Sequence, residues 1–295
     1  MNRRTFLEAL SRATGAAAAI PLMAAAPRES GGGPAAGMAS AAPAKLERVG
    51  LELYAVRDAM RADPEGTMAA VRAMGYEDVE LLWSFDNFGR TPAQVKATLE
   101  QTGLRAPSAH IAPEILLDQW ERRLEDARLL GHDYLIVPSL PAETSTSLDA
   151  WRRWADRFNV AGAAARAAGV WLAFHNEPGH QKPLAGDVPY DVFVARTDPA
   201  VVRLQLDTGN MLMGGGDAMQ YLARYRERYF SFHIKDVAAD RSHDVELGRG
   251  ILDVRAFLAA IPDLAQKPVF VEQEGTEDAM GAARRNCAYI RSLEF

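Results

Sequence analysis

From Arg48 onward one pattern repeats: a short run of large or β-branched apolar residues, then a longer stretch with helical spacing. The apolar runs are Val49–Tyr54, Asp78–Leu82, Ala106–His110, Tyr134–Pro138, Val170–His175, Val202–Asp207, Tyr229–Ile234 and Pro268–Glu272. Runs this short and this continuously apolar suit parallel strands buried on both faces. The stretches between them read as helices over Pro64–Met74, Thr91–Thr102, Leu116–Leu130, Leu148–Ala168, Ala218–Arg228, Asp253–Ala260 and Glu277–Leu293, with a shorter one near Tyr190–Arg196. Thr91-Pro92 supplies a helix cap followed by a first-turn proline, and Gly75 is placed to close the first helix. Repeated βα units call for a parallel sheet with helices outside. Eight of them predict a closed (β/α)₈ TIM barrel over residues 46–295, a length one such domain ordinarily fills. The rival, an open doubly wound sheet, carries a glycine-rich turn after its first strand. Here Tyr54-Ala55-Val56-Arg57-Asp58 follows instead, and neither Gly31-Gly32-Gly33 nor Gly214-Gly215-Gly216 has the strand–turn–helix setting of a phosphate cradle. Both triplets read as flexible loop.

The 45 residues before the barrel have another character. Arg3-Arg4-Thr5-Phe6-Leu7, an alanine-rich apolar stretch from Ala13 to Ala26 and the small residues Ala24-Ala25-Ala26 resemble a twin-arginine export signal with its cleavage site. Residues 1–26 are therefore expected to be a signal peptide read by the twin-arginine export machinery, and residues 27–45, rich in Gly, Ala, Pro and Ser, a flexible linker. The expected location is the periplasm or another exported one, without a permanent membrane anchor, since the apolar stretch is short and only weakly apolar. A net charge of −6 argues against a nucleic-acid partner, which would call for a basic face. The single cysteine, Cys287, excludes an intrachain disulfide and reads as a small buried residue. The sequence sets no oligomeric state.

Chemistry in a barrel of this kind lies at the C-terminal strand ends. The second strand ends at or beside Glu80, the third in His110 and the fifth in His175-Asn176-Glu177. The sixth ends in Asp207, the seventh reaches His233 with Lys235-Asp236 beyond, and the eighth ends in Glu272 with Glu274 close by. Three of the six histidines fall at these ends, a placement that scattered surface histidines would not show. Imidazole and carboxylate converging from separate strands suit one divalent ion, Mn²⁺, Co²⁺ or Zn²⁺ ahead of Mg²⁺.

These stretches also resemble the xylose isomerase-like superfamily of sugar phosphate isomerases and epimerases. The resemblance is carried by Gly50–Asp58, Gly75–Glu80, Ser108-Ala109-His110, Phe174-His175-Asn176, Leu206–Asn210, Phe232–Asp236, Leu247–Gly250 with Asp253, and Val271-Glu272-Gln273, so it spans residues 48–295. It implies four metal ligands, His175, Asp207, His233 and Glu272. One position departs: ketose 3-epimerases have a glutamate, both ligand and proton-transfer group, where His175 stands. Glu177, Glu80 or Lys235 would then supply the second acid or base beside Glu272. His110, Asn176, Glu274 and Asp236 are the expected substrate contacts. Endonuclease-IV-like members of the superfamily use a larger histidine set and need a basic face, and this chain's net charge of −6 speaks against that branch.

The implied activity is isomerisation or epimerisation of a keto-sugar or polyol, through α-proton abstraction and a metal-stabilised enediolate. Elimination from a 3-keto-glycoside, a lyase or dehydratase reaction, follows from the same abstraction. A periplasmic barrel that binds sugar without turning it over is the alternative of another class.

Overall fold

The computed structural model describes residues 45–295; the export signal expected over 1–26 and all but the last residue of the linker expected over 27–45 lie outside the described residues. The strands are β1 (Gly50–Glu52), β2 (Asp78–Leu82), β3 (Arg105–His110), β4 (Tyr134–Val137), β5 (Trp171–His175), β6 (Val202–Asp207), β7 (Tyr229–Ile234), β8 (Asp236–Val237), β9 (Asp244–Val245) and β10 (Val269–Val271). A closed barrel forms from β1 to β7 and β10, in the ring order β1-β10-β7-β6-β5-β4-β3-β2. Every pairing in it is parallel, so all eight C-terminal ends face one mouth. The short β8 and β9 pair antiparallel as a ribbon in the loop after β7. No described helix is long and apolar enough to cross a membrane.

Strand alternation sorts side chains between barrel and helices. On β5, Phe174 packs outward against Trp151, Phe158 and Phe193 of the surrounding helices, while His175 reaches inward to Gln205 of β6. The outward layer is the apolar core. The inward layer near the mouth is polar and fully buried: Glu80, Ser108, Gln205, Asp207, Ser231 and His233 are all sealed from solvent. A polar interior of this size survives only if its groups satisfy one another or await a ligand.

Local signals act as anticipated at several ends. Thr91 and Gln94 form a reciprocal capping box, and Gly75 closes its helix at φ 108°, a conformation open to glycine. Other boundaries differ. β1 stops at Glu52, two residues earlier than expected, because Leu53–Val56 winds into a 3₁₀ turn. β10 stops at Val271, so Glu272 is the first residue beyond it. The helix expected over Leu116–Leu130 is split into Ile115–Asp118 and Trp120–Leu130. Trp120, at the start of the second piece, is buried and its indole N–H donates to Ala161 O at 3.0 Å. Gly214 is no loose loop either: it ends the helix Thr208–Met213 and lies against the Pro178 carbonyl and Gln181. Cys287 is buried, as expected.

Candidate metal centre and active site

Each inward residue is delivered by a strand end, and the barrel brings them to one place. One ligand atom from each of Asp207, His233 and Glu272 lies within 4.8 Å of the others. His175 stands at the edge of this trio, its Nε2 3.9 Å from Asp207 Oδ2, and it also groups with His110 and His233. His233 sits between two carboxylates, with Nδ1 2.7 Å from Glu272 Oε2 and Nε2 2.5 Å from Glu80 Oε2. The Nδ1 side therefore faces the trio, and the Nε2 side is held by a carboxylate from beneath, the arrangement that fixes the ring of a metal-binding histidine.

The residues fit a divalent cation on two further counts. Asp207 Oδ1 caps the following helix by accepting the Asn210 N–H at 2.7 Å, while Oδ2 is buried without an aligned hydrogen bond. The Lys235 ammonium lies 3.0 Å from that oxygen. This is an electrostatic contact rather than a well-directed bond. Burial and the nearby Glu272 push the Asp207 carboxyl up to about 7 even with Lys235 and His233 alongside, so the cluster is short of positive charge. Burial, with His233 and His110 nearby, drives His175 well below the usual imidazole range and keeps it neutral, the form that binds metal. Burial alone would lower His233, but Glu80 and Glu272 hold it well above the usual range. In this state an imidazolium and an ammonium stand among the carboxylates.

Lys235 is the hub of the upper site. Its Nζ lies 2.5 Å from Glu274 Oε1, 3.2 Å from Asn210 Oδ1 and 3.3 Å from Glu272 Oε1. Burial would raise Glu272, yet Lys235 and His233 hold it well below the usual carboxylate range, so it is anionic. Glu177 goes the other way: burial pushes it up to about 8, with Lys235 only partly opposing. Asn210 Nδ2 lies 3.4 Å from Glu177 Oε2 and 3.3 Å from His175 Nε2, tying the β5 and β6 ends together.

Three of the expected site residues are engaged within the protein. Glu80 accepts hydrogen bonds from Ser108 Oγ at 2.5 Å and Gln205 Nε2 at 2.9 Å and pairs with His110 and His233, so it supports the ring above it and offers no free oxygen. Asn176 is committed to backbone: Oδ1 accepts the Asp207 N–H and Nδ2 donates to the Asp207 carbonyl, each at 2.9 Å, which fixes the end of β6. The Asp236 carboxylate accepts four backbone N–H groups, from Val237, Gly248, Gly250 and Leu252, and so braces the loop after β9. Both side chains expected at the substrate, Asn176 and Asp236, are thus turned to backbone in this structure. His110 lies deep beside His175 and His233, with Nε2 3.0 Å from both Gln205 Oε1 and Glu80 Oε2. Glu274 stays at the mouth on Lys235, its N–H donating to Asp244.

Sequence reasoning passed over Glu52, Gln205 and Asn210. Glu52 pairs in register with Glu80, and both its carboxylate oxygens are buried without a hydrogen-bond partner. Burial and Glu80 push it well above the usual carboxylate range. Placing the end of β1 at Tyr54 rather than Glu52 hid it. Gln205 lies two residues before Asp207 on the same strand face, and that spacing was the available signal.

His180 supports the site from outside. Its Nδ1 accepts the Glu177 N–H at 3.0 Å, and its ring stacks on Phe174 and meets Trp151 edge-on. Burial lowers its pKa to about 3, and burial lowers His132 to about 4 despite a bond to the Ala106 carbonyl. Both rings protonate near 6.5 in the unfolded chain, so the stability they confer is full above that pH and falls as pH drops toward 4. His180→Gln, which stays neutral, is expected to flatten the pH dependence of urea-unfolding free energy between pH 6.5 and 4 by up to about 1.4 kcal/mol per pH unit. An unchanged slope would show that His180 takes up its proton while folded.

The family described as "Xylose isomerase-like TIM barrel" matches residues 68–293. Among curated proteins, the inosose dehydratase of Lacticaseibacillus casei is 32% identical over 98 residues, 32% of each chain. That of Geobacillus kaustophilus (strain HTA426) is 27% identical over 177 residues, 52% of this chain and 56% of that protein. The matches thus span about a third to about half of these relatives' length. Of solved structures, a sugar phosphate isomerase/epimerase from Parabacteroides distasonis ATCC 8503 superposes with TM-score 0.72 at 21% identity, covering 87% of this chain and 96% of that one. The IOLI protein with a bound zinc atom superposes with TM-score 0.66 at 15% identity, over 84% and 99%. At such identities the superpositions show the fold.

Proposed function

Because the chain belongs to the xylose isomerase-like TIM barrel family, we propose that it is a divalent-metal-dependent enzyme that removes the proton α to the carbonyl of a keto-sugar or keto-polyol and returns it in isomerisation or epimerisation. The observation that carries this reading is the convergence of Asp207, His233 and Glu272, with His175 at the edge, on Asp207 Oδ2, a buried oxygen without a hydrogen-bond partner that has the Lys235 ammonium 3.0 Å away. Lys235 and His233 hold Glu272 anionic and burial pushes Glu177 up to about 8, tendencies that suit a base and an acid. Asp207, His233 and Glu272, with His175 at the edge, would hold the ion, and a relative with bound zinc fits that donor chemistry. When bound, the ion supplies Lewis acidity toward the substrate's carbonyl oxygen. Glu272 takes the α-proton. Lys235 holds the negative charge that develops on the neighbouring oxygen. Glu177 hands over its proton, steadied by Asn210 and by the His180 bond to its backbone.

Elimination is the second reading, favoured by Glu177 itself. A protonated carboxyl can give its proton to a departing β-oxygen, the step a dehydratase or a lyase of 3-keto-glycosides needs, and the curated relatives are dehydratases. We also propose export, on the strength of Arg3-Arg4 and the apolar stretch after them. The test of the main reading is hydrogen–deuterium exchange into a panel of keto-sugars and inososes, run with Mn²⁺, Co²⁺ and Zn²⁺ and without metal. Metal-dependent exchange at the carbon next to the carbonyl is expected, whichever product forms. Binding without exchange on every member would instead describe a sugar-binding barrel.

A further inference from the structure

We propose that Lys235 is a resident cation that competes with the divalent ion for Asp207 Oδ2, so that loading the site moves the ammonium off that oxygen and toward the mouth. The inference rests on the metal reading above and concerns how this chain controls it. Oδ2 is the Asp207 oxygen left without a hydrogen-bond partner for an ion, since Oδ1 already accepts the Asn210 N–H at 2.7 Å. Lys235 Nζ already lies 3.0 Å from Oδ2, and 3.3 Å from Glu272 Oε1, a second carboxylate of the trio. An ammonium and a divalent ion cannot both sit against one buried oxygen without strong repulsion, so one gives way.

The fold directs the lysine to this spot. Thr208 Oγ1 accepts the Lys235 N–H at 3.0 Å and donates to the Lys235 carbonyl at 2.8 Å, which fixes the backbone at the end of β7. Gly209 then leaves room for the stem: a Cβ there would lie 2.5 Å from Lys235 Cγ, 2.7 Å from Cδ and 2.8 Å from Cβ. Glu274, at 2.5 Å, gives the ammonium a second anchor nearer the mouth. Its loop is braced by Asp244, whose carboxylate accepts the N–H groups of Glu274 and Gly275. The ammonium thus has an inner partner that it shares with the metal and an outer partner that it keeps. On loading, it is left on Glu274 at the mouth, beside an incoming substrate. In the metal-free protein the ammonium partly offsets the carboxylate charge, and the ion is bound less tightly than the donor set alone would allow, because only the fraction with Lys235 displaced accepts it.

The experiment is calorimetric titration of the full chain with Zn²⁺ and with Mn²⁺, alongside ¹⁵N-lysine NMR. Lys235→Met is expected to tighten the dissociation constant by about tenfold or more, the occupied fraction having been removed. In the wild type, the Nζ resonance missing from Lys235→Met should shift as the ion is added. Loss of a distant charge would change affinity without moving that resonance. If Lys235→Met does not fold, Lys235→Gln is the second variant: it removes the charge while keeping a polar group for Glu274, and it too should tighten metal binding. Unchanged affinity in the variants, or an Nζ resonance unmoved at saturation, overturns the proposal while leaving the metal reading intact. Absence of binding in the wild type and in both variants overturns the metal reading, and this inference with it.

Discussion

Asp207→Asn is expected to weaken divalent-metal binding by about a hundredfold or more and to lower turnover at limiting metal at least as far, the scale on which metal sites respond when a ligand or its support is lost. The substitution is chosen for what it keeps. Asparagine retains an oxygen for the Asn210 N–H, so the helix that starts at Thr208 keeps its cap. It removes only the charge at Oδ2, the buried oxygen that has no aligned partner. Lys235 loses its inner carboxylate at the same time, while Glu272 and Glu274 still hold it. Metal content by elemental analysis and turnover at rising metal concentration check the effect. Wild-type metal content in the variant would move the ligand set away from β6.

The second large effect separates two carboxylates two residues apart. Glu272→Gln is expected to lower turnover at saturating metal by about two orders of magnitude or more, as when a positioned acid or base is removed. It also replaces a charged donor with a neutral one, so metal binding should weaken. His233 Nδ1 would lose its anionic partner at 2.7 Å. Glu274→Gln should keep the metal and cost less than about tenfold, because Glu274 is not one of the trio and its carboxylate serves as the outer anchor of Lys235, which Glu272 also holds. Measuring both variants for metal and turnover decides the order. Near-wild-type activity in Glu272→Gln together with metal loss in Glu274→Gln would exchange their roles.

The barrel was legible because its signals are periodic and redundant. Eight apolar runs, caps such as Thr91 and closing glycines such as Gly75 all point to one topology. The strand-end polar residues were legible for the same reason: parallel strands put their C-terminal ends at one mouth, so position along the chain translated directly into position in space. What the sequence could not convey was how polar groups share partners. Asn176 and Asp236 carry side chains that suit a sugar hydroxyl as well as they suit a backbone N–H, and only the folded chain shows that backbone claims them. Glu52 escaped because a 3₁₀ turn cut its strand short, a boundary that local propensity resolves poorly. The opposite tendencies of Glu272 and Glu177 depend on the distance to Lys235 and on burial, both products of tertiary packing.

The claim at the centre of this account is that a divalent ion binds where β6, β7 and β10 end. A crystal of the protein soaked with Mn²⁺ or Zn²⁺, measured at that metal's absorption edge, tests it directly. The account predicts one strong anomalous peak per chain, about 2.0–2.3 Å from Asp207 Oδ2, a ring nitrogen of His233 and a Glu272 carboxylate oxygen. A peak bound elsewhere in the barrel, or none at saturating metal, would contradict it.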